Sequence, residues 1–380
     1  MKVTLSFDEF TSKMGYMNSI LSDKSVEEKL KNLIFIVEGN ELRLVAYNAF
    51  TFVRSTFEDT EIDLEGHDKW NFQIKASEVN KIISAFSNLY KTQVKRIEFS
   101  EEGVRIKLLV HEVAKDEADS RLNRDSEFLF ESAPLLPKIE EEIKMQFPEN
   151  VDMLSSADML LYLDSLFPLI TNDTANSLGS KINFADDYVF VVSAAMSSFM
   201  VNKLPKAFHD LCLTYSSSGF LKKMSESSEN IGVAKIDKYL CIQEGNTEAF
   251  MRYQKVKINY SMYVSKRSKD KGFVVDRLYL KDVLRRMSTV EPSGVFKVEG
   301  DELFVSNNNF NQTIPLNNKK EVEGLSFNIF TSVLEKAILG KDDVFTGDLF
   351  IYFVDTVRGY LVFLSDGSGA WFSSIQVTKA

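Results

Sequence analysis

Short apolar–polar alternations make up most of the chain. Longer stretches with apolar residues three and four apart interrupt them at intervals. Period two marks half-buried strands and period 3.6 marks amphipathic helices. The C-terminal stretch displays the unit most clearly. Residues 349–354, 360–364 and 370–377 read as three strands, broken at Arg358-Gly359 and Asp366-Gly367. Asp-Gly between apolar runs is a strong hairpin signal. Upstream, residues 325–329 read as a strand and 332–339 as a helix, with Ser332 and Glu335 at capping-box spacing. The unit is a strand, a helix and a three-stranded meander.

The same unit recurs from the N-terminus. Residues 2–6 predict a strand, and Phe7, Phe10, Met14, Met17 and Leu21 predict a helix opened by a second capping-box pair, Ser6 and Glu9. Strands at 33–37, 41–47 and 50–57 follow. The second unit has a strand at 70–74 and a helix carrying Val79, Ile82, Ile83, Phe86 and Leu89. Its strands are 94–99, 104–110 and, after a charged insertion at 114–125 read as a solvated loop, 127–131. The third helix carries Leu160, Leu163, Phe167 and Ile170, opened by Ser155 and Asp158, with strands at 181–185, 188–194 and 198–204. The fourth unit has a strand at 209–214, a helix near 218–225 and strands at 231–236, 239–243 and 248–254. The fifth has a strand at 273–276, a helix carrying Leu280, Val283, Leu284 and Met287, and strands at 294–298, 302–306 and 311–316.

Six-fold recurrence of one supersecondary unit implies repeat architecture. Residues 133–152, with Pro134, Pro137, Pro148 and the acid run Glu140-Glu141-Glu142, read as a linker with a solvated acidic face. A polar stretch at 266–271 separates units four and five. These breaks pair the units. The expected architecture is α+β, with three tandem domains at 1–132, 153–256 and 257–380, each a duplicated β-α-β-β-β unit. Two helices per domain can cover one face of its strands.

Composition sets the class. With 44 % apolar residues and 30 phenylalanines the chain can fill several cores, and only 7 prolines and 17 glycines argue against a linker-rich protein. No apolar run approaches the ~18 residues of a membrane span, and MKVTLSFDEF is unlike a signal peptide. A soluble protein is expected, cytosolic or made inside a host cell. Cys212 and Cys241 lie in apolar runs and read as core residues. His67, His111 and His209 are scattered, so no metal or cofactor is expected. There is no P-loop, HExxH or Gly-x-Ser-x-Gly. Ser268 and Lys271 fit a Ser-x-x-Lys spacing in a polar stretch that lacks the rest of that signature. Turn chemistry accounts for Asp186-Asp187 and Asp342-Asp343. A binding module is expected, not an enzyme.

The net charge of −10, taken as a sum, disfavours nucleic acid. Its distribution changes that picture. Lys81, Lys222, Lys223, Lys281, Arg285, Arg286, Lys336 and Lys341 fall on the polar faces of predicted helices. Acids are left to strands, loops and linkers. The first and third helices depart from this, with Asp8, Glu9, Asp158 and Asp164.

Three domains of two such units resemble the DNA polymerase sliding clamp of the bacterial β-clamp type. MKVTLSFDEF resembles that family's opening strand and helix. LKNLIFIVEGNELRLVAYNAFTFVRSTF resembles its next three strands, and AWFSSIQV resembles its closing strand. The likeness covers essentially all 380 residues and rests on pattern and spacing, not on a short motif. It implies a head-to-tail homodimer forming a six-domain ring around duplex DNA, with helices lining the bore and sheets outside. The eight basic residues above would then face phosphate, which carries no sequence information. For each, the plain alternative is an ordinary solvated helix face. The resemblance also implies a pocket for DNA polymerase and clamp-loader peptides at Leu178, Phe199, Phe372 and Ser374. Ser374 departs from the apolar residue expected there, and core packing is the alternative for Leu178 and Phe199. The stretch SEFLFES, 126–132, resembles an edge strand at the dimer interface, placing Phe128 and Phe130 on the partner's third domain near Met287. Inward core packing is the alternative for one of the two phenylalanines. No membrane partner is implied. The location implied is cytoplasmic, or the host cytoplasm or nucleoid if the chain is phage-encoded. A non-ring polymerase accessory or scaffold remains the second reading.

Overall fold

The computed structural model describes the chain except residues 22–26, 28–29, 49, 133–134, 136, 171–180, 186–187, 193–194, 201–203, 257–268, 339–346 and 368–370. A strand, a helix and three strands follow one another six times. The first copy is Lys2–Ser6 (β1), Phe7–Leu21 (α1), Asn32–Glu38 (β2), Glu41–Tyr47 (β3) and Thr51–Thr56 (β4). A short strand, Thr60–Asp63 (β5), leads to the second: Lys69–Lys75 (β6), Ala76–Phe86 (α2), Thr92–Glu102 (β7), Arg105–Ala114 (β8) and Arg124–Glu131 (β9). Helix Pro137–Ile143 (α3) precedes the third: Asp152–Ser155 (β10), Ser156–Leu166 (α4), Lys181–Ala185 (β11), Tyr188–Val192 (β12) and Ala195–Met200 (β13). The fourth is Leu211–Thr214 (β14), Tyr215–Ser227 (α5), Asn230–Ile236 (β15), Tyr239–Glu244 (β16) and Thr247–Arg252 (β17), followed by Gln254–Lys255 (β18). The fifth is Gly272–Asp276 (β19), Arg277–Ser288 (α6), Ser293–Glu299 (β20), Glu302–Asn307 (β21) and Phe310–Lys320 (β22). The sixth is Ser326–Phe330 (β23), Thr331–Ile338 (α7), Asp348–Thr356 (β24), Gly359–Ser365 (β25) and Trp371–Lys379 (β26).

The chain forms two compact units, Met1–Ser156 with Gly219–Tyr253, and Ala157–Ser218 with Gln254–Ala380. The first holds a five-stranded sheet, β5-β1-β7-β8-β9, and an eight-stranded one, β10-β15-β16-β17-β4-β3-β2-β6. Its core centres on Phe10, Phe35, Phe72 and Phe99, with Phe35 and Phe72 stacked at 4.5 Å. Helices α1 and α2 meet through Asn18 and Asn80, whose amides exchange two 2.8 Å hydrogen bonds. The second unit holds a thirteen-stranded sheet, in which β25 also pairs with β26. The eight strands β19–β26 therefore close on themselves. Phe273, Phe296, Phe327 and Phe353 fill that closure under α6 and α7. Gly359 opens β25 at φ 148°, where a Cβ would lie 2.1 Å from the Val377 carbonyl oxygen.

Several local expectations change. The stretch read as a linker carries α3, and its acid run is not wholly solvated. Glu142 is 8 % exposed. Its carboxylate accepts from the Tyr239 hydroxyl at 2.9 Å and from Arg252 at 3.0 Å. Burial pushes the Tyr239 phenol up. Ile139 lies in one buried cluster with Ile34, Val45, Phe52 and Phe250. The charged insertion contains a 3₁₀ turn, Glu117–Leu122, capped by the Asp116 carboxylate. The Ser6 box forms by half: the Glu9 N–H reaches Ser6 Oγ at 3.4 Å, but the Glu9 carboxylate accepts from the Glu58 and Asp59 N–H groups. Ser332 lies inside α7, and buried Thr331 opens that helix by donating to the Pro292 carbonyl. Cys212 and Cys241 are buried and not joined in a disulfide, and burial pushes the Cys241 thiol up to about 12. Asp186-Asp187, Asp342-Asp343 and Ser268 lie outside the described residues. Among the described residues no group of three or more His, Cys, Asp or Glu side chains gathers as for a metal, and no helix is long and apolar enough to cross a membrane.

Candidate nucleic-acid and partner-binding surfaces

Helix α6 has a surface divided between an apolar stripe and exposed charge. The Asp276 carboxylate caps it, accepting from the Tyr279 N–H at 2.7 Å. Leu280, Val283, Leu284 and Met287 recur at three- and four-residue steps and are fully buried. Arg285 and Arg286 sit exposed in the last turn, where the helix dipole favours cations. Lys281 differs from them. It follows Leu280 and precedes Leu284 by three positions, which lays its stem against the buried stripe and leaves it 8 % exposed. Lys81 on α2 is exposed. Lys222 and Lys223 on α5 are half-buried and lie 4.0 and 3.5 Å from Glu226. Only the backbone of Lys336 is described, and Lys341 lies outside the described residues. Asp8, Asp158 and Asp164 are exposed on α1 and α4.

Strand β26 organises the second surface. Its first half pairs with β25 on one edge and β13 on the other. Phe372 is buried against Phe190 and Phe363, and Ser374 is buried in the same paired stretch. The backbone of Phe199 pairs with Trp371. Leu178 lies outside the described residues. Past Ile375 the strand leaves β13, and it joins β23 only at Thr378. A cleft of about 700 Å³ opens there. Gly294, Val295, Phe330, Val333, Ile375 and Val377 give it apolar walls, and Asn307, Asn328 and Gln376 give it polar ones. Phe330 is 63 % exposed on its rim. The alternation of Ile375 and Val377 was a visible strand signal. That these side chains line one cleft with Phe330, a whole repeat's helix and two strands earlier in the chain, was not readable before folding.

The third strands of the repeats form seams. β4 of repeat one pairs antiparallel with β17 of repeat four. Across it the Ser55 and Thr247 hydroxyls lie 2.8 Å apart, and Arg54 pairs with Glu248. β13 of repeat three pairs likewise with β26 of repeat six. The third strands of repeats two and five have open edges. Among the described residues β9 pairs only with β8, and β22 pairs over 310–315 only with β21. On β9, Phe128 is half-buried, edge-on to Phe86 at 6.1 Å. Leu129 is 48 % exposed, and Phe130 points inward opposite Ile106. Met287 is fully buried over Gly294, where a Cβ would meet its Cε at 1.6 Å. Of the three expected interface residues, Phe128 alone reaches the surface.

No family model and no curated protein matches the sequence. Solved structures do match it over its full length. The DNA polymerase sliding clamp of Caulobacter crescentus is 12 % identical, with a TM-score of 0.78 and 100 % of both chains covered. The DNA polymerase III β subunit of Thermotoga maritima is 15 % identical, with a TM-score of 0.76, covering 100 % of this chain and 99 % of that one. The DNA polymerase sliding clamp of Pseudomonas aeruginosa is 11 % identical, with a TM-score of 0.76 and 100 % of both chains covered. The chain has the sliding-clamp fold from end to end.

Proposed function

We propose that this protein is a DNA sliding clamp: a ring of two copies that encircles duplex DNA and tethers a polymerase to it. The single observation that carries this is the full-length match of fold to sliding clamps. Six repeats, read as three pairs at 1–132, 153–256 and 257–380, leave one open third-strand edge in repeat two and one in repeat five. An open edge invites another strand. Two complementary edges on one chain give a head-to-tail contact, which closes into a ring when the rotation closes.

The clamp does no chemistry in this reading. Exposed Lys81, Arg285 and Arg286, with Lys222 and Lys223, supply cations to the bore. Lys281 lies on α6 and Lys336 on α7. Contacts of this kind hold phosphate without reading bases, and acids elsewhere repel DNA from the outside. Polymerase and clamp-loader peptides would dock beside β26, in the cleft where Phe330, Val333, Ile375 and Val377 take apolar side chains; Phe372 and Ser374 are buried on the other face of the strand. The polar positions Asn307, Asn328 and Gln376 favour a peptide with neutral hydrogen-bonding groups beside its apolar anchors.

Retention on DNA tests the reading. A clamp loaded on a nicked circle is retained, and it is released when the circle is cut. Protein that stays on the linear product is an ordinary binder, and the proposal fails. A compact particle of 43.3 kDa at micromolar concentration also overturns the ring and favours a non-ring accessory.

A further inference from the structure

We infer the register of the seam that joins two copies: β9 lies antiparallel to the first half of β22 of the second copy, with Ser126 opposite Gln312, Glu127 opposite Asn311, and Phe128 opposite Phe310. The inference rests on the two-copy reading above and goes on to name the residues that meet.

Both seams within the chain join an odd repeat to the repeat three later, one to four and three to six. The same step from repeat five arrives at the second repeat of a following copy. The registers of the two seams can be compared by counting from each repeat's first hairpin. In odd repeats that hairpin closes at Glu38 and Glu41, Ala185 and Tyr188, and Glu299 and Glu302. Three residues on, Leu44 faces Ser55, Val191 faces Ser197, and Val305 faces Gln312. In even repeats it closes at Ile236 and Tyr239, Thr356 and Gly359, and Glu102 and Arg105. Five residues on, Glu244 faces Thr247, Leu364 faces Ser373, and Val110 faces Ser126.

The two seams obey one rule. Ser55 pairs with Thr247, and Ser197 pairs with Ser373. Their neighbours follow in step, Val53 with Ala249 and Ala195 with Ile375. Applied to the open edges, the rule sets Gln312 opposite Ser126 and Phe310 opposite Phe128. A slip of one residue would turn every side chain to the wrong face. Burial agrees with this register. Val53, Ala249 and Ile375 are buried in their seams, whereas Phe128 and Phe310 are half-buried in the single chain. Each phenylalanine gains cover when the other arrives. At the position where the first seam has Arg54 against Glu248, the seam between copies has Asn311 against Glu127. No ion pair crosses the seam between copies there, and Glu127 lies 3.6 Å from Lys107 of its own chain.

Cysteine trapping tests this. The Ser55 and Thr247 oxygens are 2.8 Å apart, so sulfurs at the equivalent positions fall within bonding reach. Ser126→Cys with Gln312→Cys in one chain, oxidised by copper phenanthroline, is expected to give a covalent dimer. The slipped pair Glu127→Cys with Gln312→Cys is expected to give none. Sedimentation of the unoxidised protein separates the two ways of failing. A dimer that does not cross-link at 126 and 312, or cross-links better in the slipped pair, overturns the register and leaves the ring. A monomer at every concentration overturns the ring itself. If the cysteine pair fails to fold, Asn311→Arg gives a second reading by restoring the missing ion pair. It is expected to tighten the dimer about two- to fivefold at low salt, and Glu127→Gln should cancel the gain. An unchanged or weaker Asn311→Arg dimer counts against the register.

Discussion

Glu142 stands in a run of three glutamates, and nothing local distinguishes it from Glu140 and Glu141. The fold separates them: Glu140 and Glu141 are exposed, while Glu142 accepts from Tyr239 and Arg252. Removing one partner of a buried charged network leaves the other without compensation. Glu142→Ala is therefore expected to cost about 2–4 kcal/mol in urea unfolding, and Glu141→Ala less than about 0.5 kcal/mol. Equal effects would mean that α3 is only loosely held. The same limit applies to Lys281 and Met287. Both are residue types that suit a surface contact, and their burial followed from their place on the apolar stripe of α6 and from the missing side chain at Gly294.

Elements were the most legible level. Periods of two and 3.6 located the helix and the three long strands of all six repeats, because burial on one face imposes those periods whatever the fold. The errors fall where local signals conflict. Helix α3 begins at Pro137 amid prolines and acids that read as a linker, and what holds it is contact with strands distant in sequence. Strand β5 is four residues long and polar, so it has no apolar pattern to betray it. Helix α6 is readable on both faces, in its apolar stripe and in its basic last turn, and the consequence is testable. Arg285→Glu with Arg286→Glu removes two cations without touching the stripe. DNA retention is expected to weaken, with the salt slope of binding reduced by about one for each phosphate no longer neutralised. Acids at a helix C-terminus cost stability, about 0.3–1 kcal/mol each. Unfolding should therefore move only slightly, and retention unchanged would remove α6 from the bore.

At the scale of the whole molecule, the third strands of repeats one and four and of repeats three and six close two seams, and among the described residues those of repeats two and five keep an open edge. Phe128→Arg places a charge on the open edge of β9 without entering the interior occupied by Phe130. The variant is expected to keep its circular dichroism and melting and to sediment as a single chain. Loss of folding instead would make Phe128 a core residue and end its role at an interface. By itself the sequence determined the repeat and its six-fold count, because these depend on periodicity within about 20 residues. It did not determine that β4 meets β17 and β13 meets β26, which residues wall the cleft beside β26, or that Glu142 lies inside. Those are contacts between elements far apart in the chain. Only the packing of complete sheets, with their one-residue tolerance for register, could decide them.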